Sequence, residues 1–394
     1  MLDSSYDNKE ILSCISILLS GHLTMGRRVK EFENRFCEHL GSSFSVMVNS
    51  GSSANLLAFS ALTNPTRKRH LSTGDKVAVP AVCWSTSIWP IVQTGLVPVM
   101  VDVNPKTLNV SIPSLKRAIA EHSIRAVMLV HVLGNATEME ELLELVRDND
   151  LLLVEDTCES LGTTYRERYL GTYGDFGTFS FYFSHHMTTI EGGIVTAKNQ
   201  EDADLLRCLR THGWSREQSN REEIEAANQH IDPRFLFINA GYNLRPMEIQ
   251  AAFGIEQILR LDEMNATRRE NFVRIKETFQ NHPQWKNQLL FPEKSAGVNP
   301  CWFGFPFLIN DNCRINRTKL AGALSKSGID TRPIISGNMA LQPAIQLFKI
   351  DTSLGPFEGA QTIHDRGLFI GCHSKPLDRS VLENLVSTVI RHLA

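Results

Sequence analysis

Apolar strands alternate with helices between residues 76 and 155, and this alternation restricts the fold more than any other feature of the sequence. Each predicted strand is a short, nearly continuous apolar run that leads into a helical pattern. Such strands are buried on both faces, so they predict an α/β fold with a mostly parallel sheet between helices. Ligands of these sheets bind at the carboxyl ends of the strands. The predicted strands are 76–80, 97–103, 126–132 and 151–155, and the predicted helices are 84–94, 113–122 and 137–149.

The length of the chain, 394 residues, predicts two domains because it exceeds what one small core accommodates. We assign residues 1–260 to a large domain that contains the sheet. Residues 261–394 have a shorter pattern of strands and helices, which predicts a small C-terminal α+β domain. Although the N-terminal helix, residues 7–20, belongs to the large domain in this division, it can pack with the small domain.

Charge and hydropathy exclude several classes of partner. A net charge of −3 provides no basic surface for nucleic acid or anionic lipid. The longest apolar runs, such as Ala126–Leu133, are far too short to span a bilayer. The N-terminus carries Asp3 where a signal peptide requires basic residues. We therefore expect a cytoplasmic protein with neither a nucleic-acid nor a membrane partner.

The eight cysteines show no metal-binding spacing. No two of them lie within ten residues of each other, so the chain contains no Cys-x-x-Cys pair. In a chain of this size they are typical of buried thiols in a reducing compartment.

Two features at predicted strand ends are candidates for ligand binding. Ser50-Gly-Ser-Ser turns from a strand into a helix, and the free amides and dipole of a helix N-terminus suit a phosphate. The same residues also suit an ordinary helix cap. Asp156 puts a carboxylate at the end of a buried apolar strand, where it either binds a ligand or caps the next helix.

A polar turn follows the strand that ends near Ser180 and carries the adjacent histidines His185 and His186. Glu191-Gly-Gly then opens another strand. The histidines are candidates for a catalytic pair, a metal site or surface residues. Adjacent side chains on an extended segment point in opposite directions, which argues against a shared zinc ion, and we predict no metal site.

Several motifs together resemble the DegT/DnrJ/EryC1/StrS family of vitamin-B6-dependent sugar aminotransferases. This resemblance spans nearly the whole chain. It implies a fold-type I transferase with a large mixed-sheet domain, a small α+β domain, and a homodimer whose subunits share active sites. The motifs are Ser50-Gly-Ser-Ser-Ala-Asn-Leu56, Val79-Pro-Ala-Val-Cys-Trp-Ser-Thr86, Glu155-Asp-Thr-Cys-Glu-Ser-Leu-Gly162, Ser180-Phe-x3-His-His-x4-Glu-Gly-Gly193 and Gly241-Tyr-Asn-Leu-Arg-Pro246.

The resemblance also implies a role for each matching residue toward pyridoxal 5'-phosphate. Trp84 matches the aromatic residue that stacks on the pyridine ring, and Asp156 the carboxylate that pairs with the ring nitrogen. Glu159 stands where the family often has glutamine against the ring hydroxyl. Asn243 is expected to reach in from the neighbouring subunit. The residues implied for the cofactor phosphate are Gly51, Ser52, Ser53 and Ser180.

The sequence departs from the aminotransferase pattern at its central residue. The family has a lysine five residues after Ser180 and six before Glu191, and both counts lead to His185. No lysine occurs between Lys116 and Lys198, so a shift of register does not supply one. Imidazole cannot hold the cofactor covalently, but it can move protons near neutral pH.

Histidine at this position resembles the lysine-less branch of 3-dehydratases that act on GDP-4-keto-6-deoxy-D-mannose. A related subtype carries an iron–sulfur cluster, and the cysteines of that cluster follow the helix after the active-site strand. In this chain the corresponding segment, residues 212–220, contains no cysteine. The resemblance therefore implies pyridoxal and pyridoxamine phosphate as cofactors and no iron–sulfur cluster.

The implied reaction removes the C3 hydroxyl of a nucleotide-linked 4-keto-6-deoxyhexose in 3,6-dideoxysugar biosynthesis of the O-antigen type. L-Glutamate supplies the amino group that regenerates pyridoxamine phosphate, and ammonia is released. His185 is the expected acid–base, whereas Arg27, Arg245 and Arg332 are candidates for binding substrate anions. The alternatives are a nucleotide-sugar 4-aminotransferase and a catalytically inert cofactor-binding homologue.

Overall fold

Helices and strands alternate through most of the chain, and the computed structural model describes residues 5–393. The helices are α1 (Asn8–Ser20), α2 (Arg27–Leu40), α3 (Gly51–Leu62), α4 (Ser85–Gln93), α5 (Ile112–His122), α6 (Met139–Asp148), α7 (Gln200–Arg210), α8 (Arg221–Ala227), α9 (Glu248–Ile258), α10 (Leu261–Gln280), α11 (Arg317–Lys326), α12 (Pro343–Leu347), α13 (Glu358–Arg366) and α14 (Arg379–Leu393). The strands are β1 (Phe44–Val48), β2 (Lys76–Pro80), β3 (Val97–Val101), β4 (Ile124–Val130), β5 (Leu152–Asp156), β6 (Thr164–Tyr165), β7 (Arg168–Tyr169), β8 (Phe176–Ser180), β9 (Gly193–Ala197), β10 (Leu289–Leu290), β11 (Val298–Asn299), β12 (Gly304–Ile309), β13 (Thr331–Arg332) and β14 (Gly367–Gly371).

The main sheet has seven strands in the order β1-β9-β8-β5-β4-β2-β3. The pairs β8–β5, β5–β4, β4–β2 and β2–β3 are parallel, whereas β9 runs antiparallel to both of its neighbours. The four strands predicted between residues 76 and 156 all belong to this sheet and are almost completely buried. The predicted fold, a mixed and mostly parallel sheet between helices, is confirmed.

Helix α3 starts at the edge where the parallel strands end. Ser50 caps it by accepting a hydrogen bond from the amide of Ser53 at 3.1 Å. Gly51 lies so close to β8 that a Cβ atom there would be 2.5 Å from the Cβ of Ser180. A side chain at Gly51 would therefore push the helix N-terminus away from the strand end.

The connection between β8 and β9, residues 181–192, is the turn that carries the two histidines. The amide of Phe181 donates to the carbonyl of Gly192 at 2.9 Å, and Ser180 faces Gly193 in the strand register. Since β9 runs against its neighbours, the turn returns to the same edge of the sheet at which β8 ends. The strands hold the turn at both ends.

A second sheet has the order β10-β12-β14-β13 and is antiparallel throughout. Its strands pack with the inner faces of α10, α11 and α14 around a separate cluster of buried apolar side chains that includes Phe305 and Val386. Apolar residues between 334 and 363, such as Ile334 and Ile363, belong instead to the cluster around the main sheet. The boundary predicted at residue 260 stays a prediction, and residues 1–4 and 394 lie outside the described residues.

Helix α1, which we allowed to pack with the second domain, lies against α9 of the first. The hydroxyl of Ser13 donates to the carbonyl of Ala252 at 3.3 Å, and buried Glu10 accepts from Gln257 at 2.6 Å. The inward side of α1 therefore meets polar groups of α9. Within residues 5–393, no helix is both long enough and apolar enough to cross a membrane.

Candidate active site

A cavity of about 860 Å³ opens at the edge of the main sheet where its parallel strands end. One side, which we call the strand-end wall, is formed by residues that follow or end strands of the main sheet. The opposite side, the second-sheet wall, is formed by α10 and by residues of the second sheet. The strand-end wall comprises Ser50, Gly51, Ser52, Trp84, Asp156, Glu159 and Ser180, and the second-sheet wall Arg268, Phe303, Asp330, Arg332, Phe369 and Cys372.

The first turn of α3 contributes hydroxyl and amide groups to the strand-end wall. Gly51, Ser52 and Ser180 line the cavity, and the hydroxyl of Ser52 donates to Thr86 at 3.0 Å. Ser53 does not line it, and its amide donates to the Ser50 hydroxyl within the cap. Free amides at a helix start, together with hydroxyls, make a suitable site for a phosphate.

Asp156 ends β5, and two side chains fix its carboxylate. Oδ2 accepts hydrogen bonds from the Asn55 amide at 2.9 Å and the Ser87 hydroxyl at 2.8 Å, and Oδ1 accepts from the amide of Cys158 at 3.2 Å. Asp156 is 5% exposed, and that exposed part faces the cavity. Trp84, whose side chain is 59% exposed, lines the same wall.

Glu159 lies one turn beyond Asp156 and also lines the cavity. Its Oε2 accepts a hydrogen bond from the amide of Leu133 at 3.0 Å. Burial and, secondarily, the charge of Asp156 raise the pKa of Glu159 to about 7. The carboxyl group is therefore protonated in a large fraction of molecules near neutral pH and can then donate a hydrogen bond.

His131 and Glu155 form a fully buried pair behind the strand ends, with 3.1 Å between Nε2 and Oε2. Burial would raise the pKa of Glu155, but hydrogen bonds from His131 and from the backbone amides of Gly174 and Gly171 outweigh it and lower the pKa. The amide of His131 also donates to the carbonyl of Asp156 at 3.0 Å. This pair fixes the strand ends on which Asp156 lies.

His185 lines the cavity and lies between two aromatic rings. The ring centroids of Phe303 and Tyr182 are 5.2 Å and 6.0 Å from the imidazole, each in an edge-to-face arrangement. Burial and then the charge of Arg268 lower the pKa of His185 to about 4. Its imidazole is therefore neutral at physiological pH and able to accept a proton.

His186 points away from the cavity into the interior. It is completely buried, and its Nε2 donates to the carbonyl of Cys301 at 2.9 Å. Burial, followed by the charge of Arg268, lowers the pKa of His186 well below its ordinary value. The surface interpretation of this residue is wrong, and the contact with Cys301 gives it a structural role. Among residues 5–393, no group of three or more acidic, histidine or cysteine side chains is placed to hold a metal ion.

Three other predicted site residues lie outside the cavity of the single chain: Asn243, Arg245 and Arg27. Asn243 and Arg245 are joined by a hydrogen bond of 2.9 Å from Nε to Oδ1. Arg27 begins α2. The roles of these three residues stay predictions. Arg332, in contrast, lies on the second-sheet wall.

Arg268 and Phe303 on the second-sheet wall were not predicted from the sequence. A signal for Arg268 was present: the buried face of α10 has polar residues at Asn265, Arg268 and Asn271, in step with its apolar positions. A buried charged residue in such a pattern is unusual and indicates a functional or structural contact. Phe303 had no comparable signal.

The mixed seven-stranded sheet, the smaller antiparallel sheet and a cavity at the strand ends define a fold-type I transferase. Residues 4–389 match the model of the DegT/DnrJ/EryC1/StrS aminotransferase family, and the chain belongs to that family.

Individual members of the family are similar to this chain over nearly its whole length. The chain is 38% identical to GDP-4-keto-6-deoxy-D-mannose 3-dehydratase of Yersinia pseudotuberculosis over 384 residues, which is 97% of this chain and 95% of that protein. A structure of the Escherichia coli enzyme of that name with bound hydrated PLP has a TM-score of 0.90 at 35% identity, over 100% of this chain and 98% of the other. A further structure, of GDP-4-keto-6-deoxymannose-3-dehydratase with a trapped PLP-glutamate geminal diamine, has a TM-score of 0.88 at 34% identity, over 98% and 99% of the chains.

Proposed function

We propose that this protein is a pyridoxal-phosphate-dependent 3-dehydratase that converts GDP-4-keto-6-deoxy-D-mannose into the 4-keto-3,6-dideoxy sugar. The observation that carries this proposal is the imidazole of His185 in the cavity. Family aminotransferases have their lysine at this position, and within residues 5–393 no lysine lines the cavity. A neutral imidazole at this point supports proton transfer without covalent attachment of the cofactor.

The residues of the strand-end wall fit pyridoxal phosphate. The α3 N-terminus with Ser52 and Ser180 would hold the phosphate, Trp84 would cover a ring face, and Asp156 would pair with the ring nitrogen. Glu159 would contact the ring hydroxyl. When bound, the cofactor supplies an electron sink and carries the amino group from L-glutamate.

His185 would perform the proton transfers of the reaction. Its neutral imidazole accepts one proton, and the imidazolium then donates it to the C3 hydroxyl of the sugar, which leaves as water when the C3–O bond breaks. Replacement of this hydroxyl by hydrogen is a two-electron reduction: the two electrons come from the oxidation of glutamate to 2-oxoglutarate, and the new hydrogen at C3 arrives as a proton. The overall reaction therefore yields the dideoxy sugar, 2-oxoglutarate and ammonia, with atoms and electrons balanced.

The product distribution tests this function. We expect the purified protein with pyridoxal phosphate, L-glutamate and GDP-4-keto-6-deoxy-D-mannose to release ammonia and 2-oxoglutarate in equal amounts. Mass spectrometry should find a nucleotide sugar that has lost one oxygen. His185→Gln should lower this rate by roughly 10²- to 10⁴-fold, the usual contribution of an acid–base residue. The exposed His22→Gln serves as the matched control and should retain the rate.

Three results would contradict the proposed reaction or the role of His185 in it. A stable 4-amino sugar formed without ammonia would identify a 4-aminotransferase. Cofactor binding without turnover would identify an inert homologue. A His185→Gln variant with undiminished dehydration would remove His185 from the mechanism.

We further propose that two copies of the chain form a homodimer that shares its active sites. Asn243 lies outside the cavity of its own chain, and the segment that precedes it exposes apolar side chains to solvent: Phe235 is 59% exposed and Phe237 52%. Exposed apolar surface of this kind suits a protein contact. Light scattering after gel filtration should give twice the mass of one chain, and the mass of a single chain would exclude the dimer.

A cytoplasmic location accompanies this proposal. All eight cysteines are free thiols, which suits a reducing compartment. Cell fractionation tests it, since recovery with the periplasmic fraction would contradict a cytoplasmic site.

A further inference from the structure

The guanidinium of Arg268 lies buried in the second-sheet wall without a counter-ion. Arg268 is 6% exposed, and its Nη1 donates to the carbonyl oxygens of Cys372 at 2.5 Å and Phe303 at 3.3 Å. Its buried Nε has no hydrogen-bond partner. No carboxylate of residues 5–393 forms an ion pair with it, and its hydrogen bonds go to carbonyl oxygens.

Arg210 shows how the same chain compensates another buried arginine. Arg210 is 1% exposed, and its guanidinium forms ion pairs with Glu33 at 2.7 Å and Glu217 at 3.0 Å. Burial of an unpaired charge is costly, and arginine does not escape that cost by deprotonation. The unpaired charge of Arg268 next to the cavity therefore calls for a role that a neutral residue would not fill.

Arg268 is connected to both histidines through the segment 301–303. The side chain of Phe303 contacts the imidazoles of His185 and His186, with centroids 5.2 Å and 5.7 Å apart. The carbonyl of Cys301 accepts the hydrogen bond from His186. Since Arg268 binds the carbonyl of Phe303, it fixes the surface on which the histidine turn lies.

We propose that Arg268 is a positioning residue for His185: it fixes Phe303 behind the imidazole, and it places an unpaired positive charge at the cavity that His185 lines. This inference rests on the proposed function of His185. The imidazolium formed after proton uptake is a stronger acid next to a fixed cation. Arg268 therefore makes proton uptake by His185 less favourable and the subsequent donation to the departing hydroxyl more favourable, so its charge assists the second transfer.

Several elements of the fold contribute charged or titratable groups to the cavity that His185 lines. His186 belongs to its own turn and is neutral for the same reason as His185. Burial and, after it, the charge of Arg268 lower the pKa of His185, and other charged or titratable groups line the same cavity. These other groups are Asp156, Glu159, Glu191, Asp330, Arg332, His131 and His373.

Nuclear magnetic resonance of the cofactor-free protein tests the inference independently of turnover. Histidine labelled at Cε1 reports each imidazole, and loss of one signal in His185→Gln assigns His185. We expect Arg268→Gln, which keeps a hydrogen-bond donor but removes the charge, to raise the pKa of His185 by about one unit or more. Arg268→Lys should leave it near the wild-type value. Arg268→Met provides a second neutral variant if the glutamine variant does not fold.

Arg269→Met is the matched control. Arg269 is the next residue of α10 and also donates to carbonyls, those of Gly162 and Pro300, but its charge does not act on His185. In the Arg269→Met variant, His185 should have the same pKa as in the wild type. In the active enzyme, the acid limb of the pH profile of kcat/KM should shift to higher pH in Arg268→Gln and should not shift in Arg269→Met.

An unchanged His185 titration in both neutral Arg268 variants would overturn the inference. A raised KM for glutamate with an unchanged titration would also overturn it, since Arg268 would then be a carboxylate-binding residue. A wild-type protein that forms no dideoxy sugar would instead contradict the proposed function, while the titration would still decide how Arg268 affects His185.

Discussion

The strand-end wall and the second-sheet wall enclose the same cavity with different chemistry. The strand-end wall presents the carboxyl groups of Asp156 and Glu159 together with helix amides and hydroxyls. The second-sheet wall presents the guanidinium groups of Arg268 and Arg332, with Asp330 as its acidic member. His185 lies on the turn between β8 and β9 and touches Phe303 of the second wall.

This difference separates two tasks. The strand-end wall has a fixed set of donors and acceptors, each held by a strand end or a helix start, which suits a resident cofactor. The second-sheet wall adds positive charge opposite it, which suits an anionic substrate and the control of His185. We therefore expect substitutions in the first wall to change cofactor binding and the stability of its support. Substitutions in the second should change substrate binding.

The largest effect is expected from Glu159 and concerns the pH dependence of stability. Its pKa is raised from 4.5 to about 7 in the folded chain. A carboxyl group with a raised pKa stabilises the fold fully below its unfolded pKa, and this contribution is lost as pH rises through the folded value. The loss is roughly 3 kcal/mol, because each pKa unit corresponds to about 1.4 kcal/mol.

Urea unfolding of the cofactor-free protein between about pH 5 and about pH 8 measures this contribution. We expect the free energy of unfolding of the wild type, relative to Glu159→Gln, to fall across this range. Glu140→Gln, at a surface ion pair with Arg166, should follow the wild type. A constant difference between wild type and Glu159→Gln would show that the carboxyl group of Glu159 is not perturbed.

The second effect concerns Asp156 and cofactor affinity. Asp156→Asn removes the charged partner of the ring nitrogen, and a hydrogen bond to a charged group contributes about 1.5–3 kcal/mol. We expect pyridoxal phosphate to bind about 10- to 100-fold more weakly, as measured by its absorbance on titration. Asp330→Asn makes the same charge change on the second-sheet wall. If both variants lost equal affinity, the proposed division between the walls would be wrong.

The smallest effect is expected from Arg332 on the second-sheet wall. Arg332→Gln removes a guanidinium that can bind a diphosphate or a carboxylate, and we expect the KM of the nucleotide sugar to rise about tenfold, or about 1.4 kcal/mol. Cofactor affinity should stay constant. Initial rates at varied sugar concentration measure the KM of the nucleotide sugar. The exposed Arg125→Gln of β4 is the control. An unchanged KM would leave Arg332 without a role in substrate binding.

The sequence predicted the strand-end wall well because its parts are local. Ser50 and Gly51 lie between the end of β1 and the first turn of α3, Trp84 is the N-cap of α4, and Asp156 ends β5, so each is a short-range consequence of a strand or helix boundary. Parallel strands then bring these boundaries to one edge. The predicted strand 76–80 also matches β2 residue for residue.

The second-sheet wall was predicted poorly because its residues are distant in the chain. Arg268 meets the carbonyl of Cys372, which is 104 residues away, and Phe303 meets His185 across more than one hundred residues. The periodicity of α10 marks Arg268 as a buried residue, but it does not reveal which distant groups Arg268 meets, and Phe303, just before β12, has no such signal. The buried state of His186 depends equally on a distant group, the carbonyl of Cys301.

The hairpin between β8 and β9 has a consequence for how chemistry can change within this architecture. The backbone hydrogen bonds that close it, from Phe181 to Gly192 and from Thr189 to Phe181, involve no side chain of the reacting position. The residue at position 185 can therefore be exchanged while the sheet, the helix start and the opposite wall keep their places. The side chain on which the proposed dehydration depends is thus not one of the groups that hold the turn in place.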